Sequence, residues 1–276
     1  MPGQWQLGTV DPAEIDAVDA TLKRWEGVFG TATGFASGDL GWALRNGYEQ
    51  VAQELRVFRD SSGVTGAVAM VESPTALWLT ISPAHLMDWD LAEAIASAAV
   101  DHGFLEVATV SPPAPIRRAL ASRSYAIDPS PWVHLWKSLT DHDVRDQPNV
   151  FATSTDALID QRIAVQFSAF ENSTFNRSKW ETMVKGPSFV PDLDLIALND
   201  GGEGVSALTG WLPGRGACGV VEPMGTHSDH RRQGHGLRVL HACFSEMRKL
   251  GGSGIRVLRR ALTIQRLLPI WRRGFG

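Results

Sequence analysis

The chain has 276 residues, 43% of them apolar, and a formal net charge of −4 at pH 7. That length suits one large domain or two of ordinary size, and the mild acidity gives nucleic-acid binding no support. Cys218 and Cys243 are the only cysteines, which favours a reducing compartment over a disulfide framework. With no signal-peptide pattern at the start and no apolar run of membrane-spanning length, the expected location is the cytoplasm, away from any membrane.

In the first half, Ser62-Gly63 turns into the strand-like run Val64 to Met70. Leu79 to His85 leads into an amphipathic helical pattern from Leu91 to Val100. Ile116 to Leu120 opens another helix, and Trp132 to Trp136 reads as a strand that ends this half. Thr140 to Asn149 breaks all periodicity and marks a boundary. In the second half, Asp192 and Asp194 turn into the strand-like Leu195 to Leu198, and Gly204 to Trp211 is a further strand. Ala217 to Met224 is an apolar approach that runs into Arg231-x-x-Gly234-x-Gly236. A helix opens at once, with Leu237, Leu240, Phe244 and Met247 on one face and a stop at Gly251-Gly252. Ile255 to Leu258 reads as a last strand.

The two halves overlay. Leu79 to His85 aligns with Met224 to His230, each after a turn and a strand and each before an amphipathic helix. Alternating strands and helices in both halves predict an α/β (α+β) fold of two tandem units, 1–140 and 150–276. The copies differ at the loop. Where the second has Arg231, Gly234 and Gly236, the first has Leu86, Trp89 and Leu91, with Asp88 and Asp90 between. A glycine turn feeding a helix N-terminus presents successive N–H groups to a phosphate or pyrophosphate. Bulky side chains and carboxylates oppose that in the first copy. The loop lacks the Gly-Lys-Ser/Thr of a Walker motif and the Gly-x-Gly-x-x-Gly of a dinucleotide fingerprint.

The segment Glu222-Pro223-Met224-Gly225-Thr226-His227-Ser228-Asp229-His230-Arg231-Arg232-Gln233-Gly234-His235-Gly236 resembles the acyl-CoA-binding motif of the GNAT family of N-acetyltransferases, with Ser228 where proline is commoner. The resemblance implies two GNAT-like domains, each a mixed, mostly antiparallel sheet flanked by helices. It also implies acetyl-CoA as acyl donor. The pantetheine arm would run along Met224, Gly225 and Thr226, and the pyrophosphate would lie at Arg231, Arg232, Gln233, Gly234, His235, Gly236 and Leu237. The region Phe167 to Asn176 would fall where the family places its first two helices, making Glu171 and Asn172 candidate acceptor contacts; a capped helix start, with Ser173 or Asn176 as N-cap, is the alternative. The implied partner is a small-molecule amine, with no nucleic acid, and the chain is a monomer or a homodimer.

Acetyl transfer from a thioester to an amine needs a base for the amine proton and a donor for the developing oxyanion. Glu222 is the nearest candidate base. It lies two residues past the usual family position, here Val220, so a structural role is equally open. The only tyrosines, Tyr48 and Tyr125, lie in the first half, which leaves no general acid carried over from the motif. His227 and His230 flank the site as relay candidates or plain surface residues. Their spacing with His235 and His241 matches no zinc pattern, so no metal is expected. The tail departs from the family: from Ile255 onward there are six arginines and no acid, Ile270 stands where tyrosine is common, and Pro269 is a poor helix residue. A basic helix, a solvated face and an altered reading of the gene all account for it. The function expected is N-acetyl transfer to a small amine, with a non-catalytic acyl-CoA-binding module as the alternative.

Overall fold

The computed structural model describes residues 5–29, 34–109, 112–129 and 131–260. The chain divides into two compact units, Met1–Ser37 with Tyr48–Val133, and Gly38–Gly47 with His134–Gly276.

The first unit runs β1 (Gln6–Thr9), α1 (Ile15–Phe29), then, past α2 (Ser37–Ala43), α3 (Tyr48–Glu54), β2 (Leu55–Arg59), β3 (Thr65–Ser73), β4 (Ala76–Ile81), α4 (Trp89–Asp101), β5 (Glu106–Ala108) and α5 (Ala114–Ala121). The sheet order is β1-β2-β3-β4-β5, antiparallel except for the parallel β4–β5 pair. Alternation on β4 turns Leu77 and Leu79 into the core, where they meet Leu91 and Ile95 of α4 and Ile116 of α5.

The second unit contains β6 (Trp132–Ser138), β7 (Val150–Ala152), α6 (Asp156–Ala169), α7 (Arg177–Met183), β8 (Asp194–Leu198), β9 (Gly204–Trp211), β10 (Cys218–Thr226), α8 (His235–Lys249) and β11 (Gly254–Arg260). Its sheet order is β6-β11-β10-β9-β8-β7. β7 through β10 are antiparallel neighbours, and β11 runs parallel to β10 from Cys218–Gly254 to Val220–Arg256. The apolar stripe of α8, including Leu240, Phe244 and Met247, packs on Leu195, Leu208 and Val221 of this sheet. Strand, strand, strand, helix, strand recurs in both units with the same parallel pair, as the overlay of the two halves requires.

Two segments fall elsewhere than the sequence division placed them. β6, read as the end of the first half, lies beside β11 in the second sheet, where Leu139 N–H donates to Ser253 O at 2.9 Å. Gly38–Gly47, including most of α2, joins the second unit. Periodicity identifies an element but not the sheet that takes it, so neither exchange is written in the local pattern. The strand expected at Ile255 to Leu258 is β11; the remaining tail from 261 lies outside the described residues.

One buried polar hub fixes α6 and α7 on the second sheet. Arg162 and Asp194 are both fully buried and paired at 3.2 Å. The remaining guanidinium donors go to Thr209 Oγ1 at 3.0 Å and Gln166 Oε1 at 3.2 Å, and Trp180 Nε1 donates to the other Asp194 oxygen at 2.9 Å. Asp194, expected as a plain turn residue, is the acceptor that satisfies three elements at once.

Candidate functional site

The site builds from the end of β10. Met224, Gly225 and Thr226 pair with Leu208, Ala207 and Ser206 of β9. Ser206, wholly buried, donates to Gly225 O at 2.8 Å and lies 3.1 Å from Thr226 Oγ1. Across Glu222-Pro223 the register with β9 shifts, and that peptide bond is cis. The half-buried Glu222 stands on this bulge, with its carbonyl accepting from Trp211 Nε1 at 2.6 Å. Bulges bend a strand and re-aim its side chains, and proline at this point has no ladder donor to lose.

Beyond β10 the chain makes a short turn at Ser228–His230 and then the glycine loop. Arg232 and Gly234 both take positive φ, +64° and +89°, and α8 starts at His235. The first helical bond of α8 is from Arg238 N–H to Gly234 O at 3.1 Å. The N–H groups of the first turn therefore have no helical acceptor, and no side chain caps them. Nor does the turn carry an acid. Instead it holds His235 and Arg238, with Arg238 Nη2 3.1 Å from His235 Nδ1 and donating to Leu198 O at 2.7 Å. An arginine side chain only donates, so His235 Nδ1 is the acceptor and its proton sits on Nε2. Partial burial, then Arg238 and His230, hold the imidazole below the ordinary histidine range, with Asp200 opposing them. A cation such as Arg238 in the first turn of a helix runs against the macrodipole; an anionic ligand at that terminus is favoured by both.

The corresponding loop in the first unit is closed by its own residues. Asp88 caps α4, accepting from Leu91 N–H at 2.9 Å through one oxygen and from Trp5 Nε1 at 3.2 Å through the other. His85 Nδ1 stands 3.4 Å from the same carboxylate. Gly34 lies directly on Leu79 O of β4, so closely that a Cβ there would overlap it, and beside Thr109 just past β5. Backbone thus lies on the end of the parallel strand pair.

Around the open loop, the last turn of α6 makes a wall. Ser168 Oγ takes Ser228 N–H at 3.0 Å and lies 3.0 Å from Ser228 Oγ, so the residue standing in place of proline supplies a donor that proline lacks. The Arg231 guanidinium reaches Ala169 O at 3.1 Å, so this side chain ties the loop to α6 rather than facing the uncapped turn. Gln233 Nε2 bonds Asp229 O at 3.3 Å. Ala169 and Phe170 press on Gly225, where any Cβ would come within 2.5 Å of Ala169 Cβ. Glu171 and Asn172 follow in an exposed turn, with Asn172 at φ +66°, on the connection to α7 rather than on a helix. Asn176 caps α7 through Lys179 N–H at 3.0 Å, as the alternative reading of this stretch anticipated. His227 and His230 lie beside the loop with ring centroids 5.5 Å apart and their planes tilted by 57°. Among the described residues, no group of three His, Cys, Asp or Glu side chains is placed to hold a metal ion. Cys243 is fully buried, which pushes its thiol far above the ordinary range and leaves it no nucleophile.

Arg238, Ser168 and Trp211 are site residues that the motif did not reveal. A cation one turn into a helix is visible in sequence as an anomaly; the other two act through folded contacts alone.

No protein-family model matches the sequence, and no curated protein does. Solved structures match over nearly the whole chain. A GCN5-related N-acetyltransferase from Sphaerobacter thermophilus is 16% identical, over 99% of this chain and 92% of that one, with a TM-score of 0.54. N-myristoyltransferase from Saccharomyces cerevisiae, solved with myristoyl-CoA, is 10% identical over 98% and 76%, at 0.56. A tandem GNAT protein from the clavulanic acid biosynthesis pathway is 15% identical over 96% and 94%, at 0.50. The likeness establishes the fold: two GNAT-type α/β units in tandem. Among the described residues no helix is long and apolar enough to cross a membrane.

Proposed function

We propose that the chain is an acyl-CoA-dependent acyltransferase, moving an acetyl group from acetyl-CoA to the primary amine of a small molecule. One observation carries the reading. Of two equivalent strand–loop–helix units, one spends a carboxylate on its own helix N-terminus, and the other leaves that terminus uncapped beside His235 and Arg238. N–H groups aimed outward at a helix start suit a pyrophosphate. That a neighbour of the same fold was solved with myristoyl-CoA supports a CoA thioester.

On this reading Gly234, His235, Gly236 and Leu237 hold the pyrophosphate through backbone N–H groups, with Arg232 exposed alongside. Arg231 and Gln233 hold the loop's shape through the Ala169 and Asp229 carbonyls. Met224, Gly225 and Thr226 line the pantetheine arm. The amine attacks the thioester carbonyl, a C–N bond forms and the C–S bond breaks. Glu222, directly or through a water, takes the ammonium proton, and the CoA thiolate is protonated from solvent. Neither tyrosine serves as acid: Tyr48 bonds Asp16 at 3.0 Å and Tyr125 bonds Phe104 O, both inside the first unit. Glu171 and Asn172, beside Phe170, border the acceptor entrance.

The tyrosine-free second unit gives the alternative, an acyl-CoA-binding module without turnover, its specific support. The two separate experimentally. An enzyme releases free thiol from acetyl-CoA with some member of an amine panel, and Glu222→Gln slows it by about a hundredfold or more, the scale of a lost general base. A binding module is stabilised by acetyl-CoA yet releases no thiol. Absence of any acetyl-CoA binding overturns both.

A further inference from the structure

We infer that Trp211 is a positioning residue for the proposed acyl transfer, and that α2, drawn from the first half of the sequence, sets its ring; this rests on the acyltransferase reading above. The argument starts at the bulge. Val221 lies opposite Gly210 and Met224 opposite Leu208, so Glu222 and Pro223 together face the single residue Thr209. A bulge leaves strand groups without ladder partners, and Pro223 brings no N–H. The Glu222 carbonyl finds its donor off the ladder, in the Trp211 indole at 2.6 Å. Trp211 itself is 1% exposed.

What holds the indole is the backbone of α2. A Cβ on Gly38 would lie 2.7 Å from Trp211 Cβ, and one on Gly41 would lie 2.5 Å from Trp211 Cζ3. Both are closer than real side-chain atoms pack, so the helix rests on the ring without intervening side chains. The α2 segment is itself fixed by Trp42 against Phe175, centroids 5.3 Å apart, and by Leu44 at Gly186. Phe189 meets the indole edge-on at 6.5 Å. A continuous line therefore runs from α2 through the indole and the Glu222 carbonyl to the strand segment that carries the proposed base and the proposed pantetheine contacts. The sequence half that lost its own phosphate loop contributes a working part to the half that kept one.

The test uses the full chain and three variants. Trp211→Phe keeps most of the ring and removes the donor; Gly41→Ala pushes the ring; Gly27→Ala, whose Cβ meets nothing within 4 Å, is the neutral control. Hydrogen exchange of the Val220–Thr226 segment reads the brace without turnover. Losing one net hydrogen bond speeds local opening by about tenfold in the first two variants and leaves the control unchanged. Where thiol release is measurable, kcat falls by about tenfold, while the calorimetric Kd for CoA changes by clearly less, because the proposed pyrophosphate contacts at the α8 loop are untouched even though the pantetheine segment is loosened. Unchanged exchange in Trp211→Phe overturns the positioning role. So does a loss of CoA affinity matching the loss of kcat, which marks general unfolding. If the wild type binds no CoA, the acyltransferase reading fails, and the exchange result still decides the brace.

Discussion

Replacing Gly234 with alanine separates backbone strain from ligand binding at the loop. Gly234 sits at φ +89°, and a Cβ there meets nothing within 4 Å. The cost in the empty protein is thus conformational, about 1–2 kcal/mol for an L-residue forced into the left-handed region. At roughly 2–4 °C per kcal/mol for a chain of this size class, the melting temperature falls by about 2–8 °C. Gly63, at φ +86° in the turn before β3 with an equally open Cβ direction, is a matched control for that strain. The two variants should lose similar stability. Only Gly234→Ala should lose CoA affinity, because the added methyl stands where the proposed pyrophosphate site meets the N–H groups of α8. Losing one charge-assisted hydrogen bond of about 1.5–3 kcal/mol weakens binding by about ten- to a hundredfold. Differential scanning calorimetry gives the first quantity and isothermal titration with CoA the second. Equal CoA affinity in wild type and Gly234→Ala would refute the loop assignment, and equal loss of affinity in Gly63→Ala would assign the effect to strain.

Asp88→Ala removes the cap of α4 and should cost about 0.5–2 kcal/mol by chemical denaturation, with CoA affinity unchanged if, as proposed, the α8 terminus is the ligand site. Arg162→Met leaves Asp194 charged and buried; a loss of about 3–5 kcal/mol is expected, and a loss below about 1 kcal/mol would show that the pair does not fix α6 and α7. Burial, then Arg145, holds His241 below the ordinary histidine range, and burial, then Arg238, holds His235 there as well. Their folded pKa values lie below the unfolded 6.5, so the unfolded state binds more protons just below that pH. Stability is therefore full above pH 6.5 and falls as pH drops through the folded values. Melting temperatures from pH 7.5 to 5 in His241→Asn should show a shallower acid slope than wild type; an unchanged slope contradicts the assignment.

How much of this was legible in sequence depends on the range of the interaction. The Gly234 and Gly236 spacing, the α8 stripe at Leu240, Phe244 and Met247, and the glycine-free counterpart at Leu86 to Leu91 are local patterns, and each lies at the helix start or helix face that the pattern indicates. Local pattern stops at the choice of partner. β6 alternates as any strand does, and only the second sheet's edge at β11 decides where it lies. Nothing local in the sequence marks Gly38 and Gly41; their role follows only once Trp211, far along the chain, is placed beside them. Arg162 and Asp194 are 32 residues apart, and nothing local marks them as buried partners, because burial of a charge is a property of the packed state. Glu222 is half legible: its place next to the motif is in the sequence, but the bulge that aims it and the indole that holds it are not.

The central claim is that one of the two equivalent loops binds CoA. Isothermal titration of acetyl-CoA into the wild-type chain tests it most directly. One site per chain, abolished or weakened at least tenfold by Gly234→Ala and untouched by Asp88→Ala, is the result predicted. Two sites per chain, or none, would contradict it.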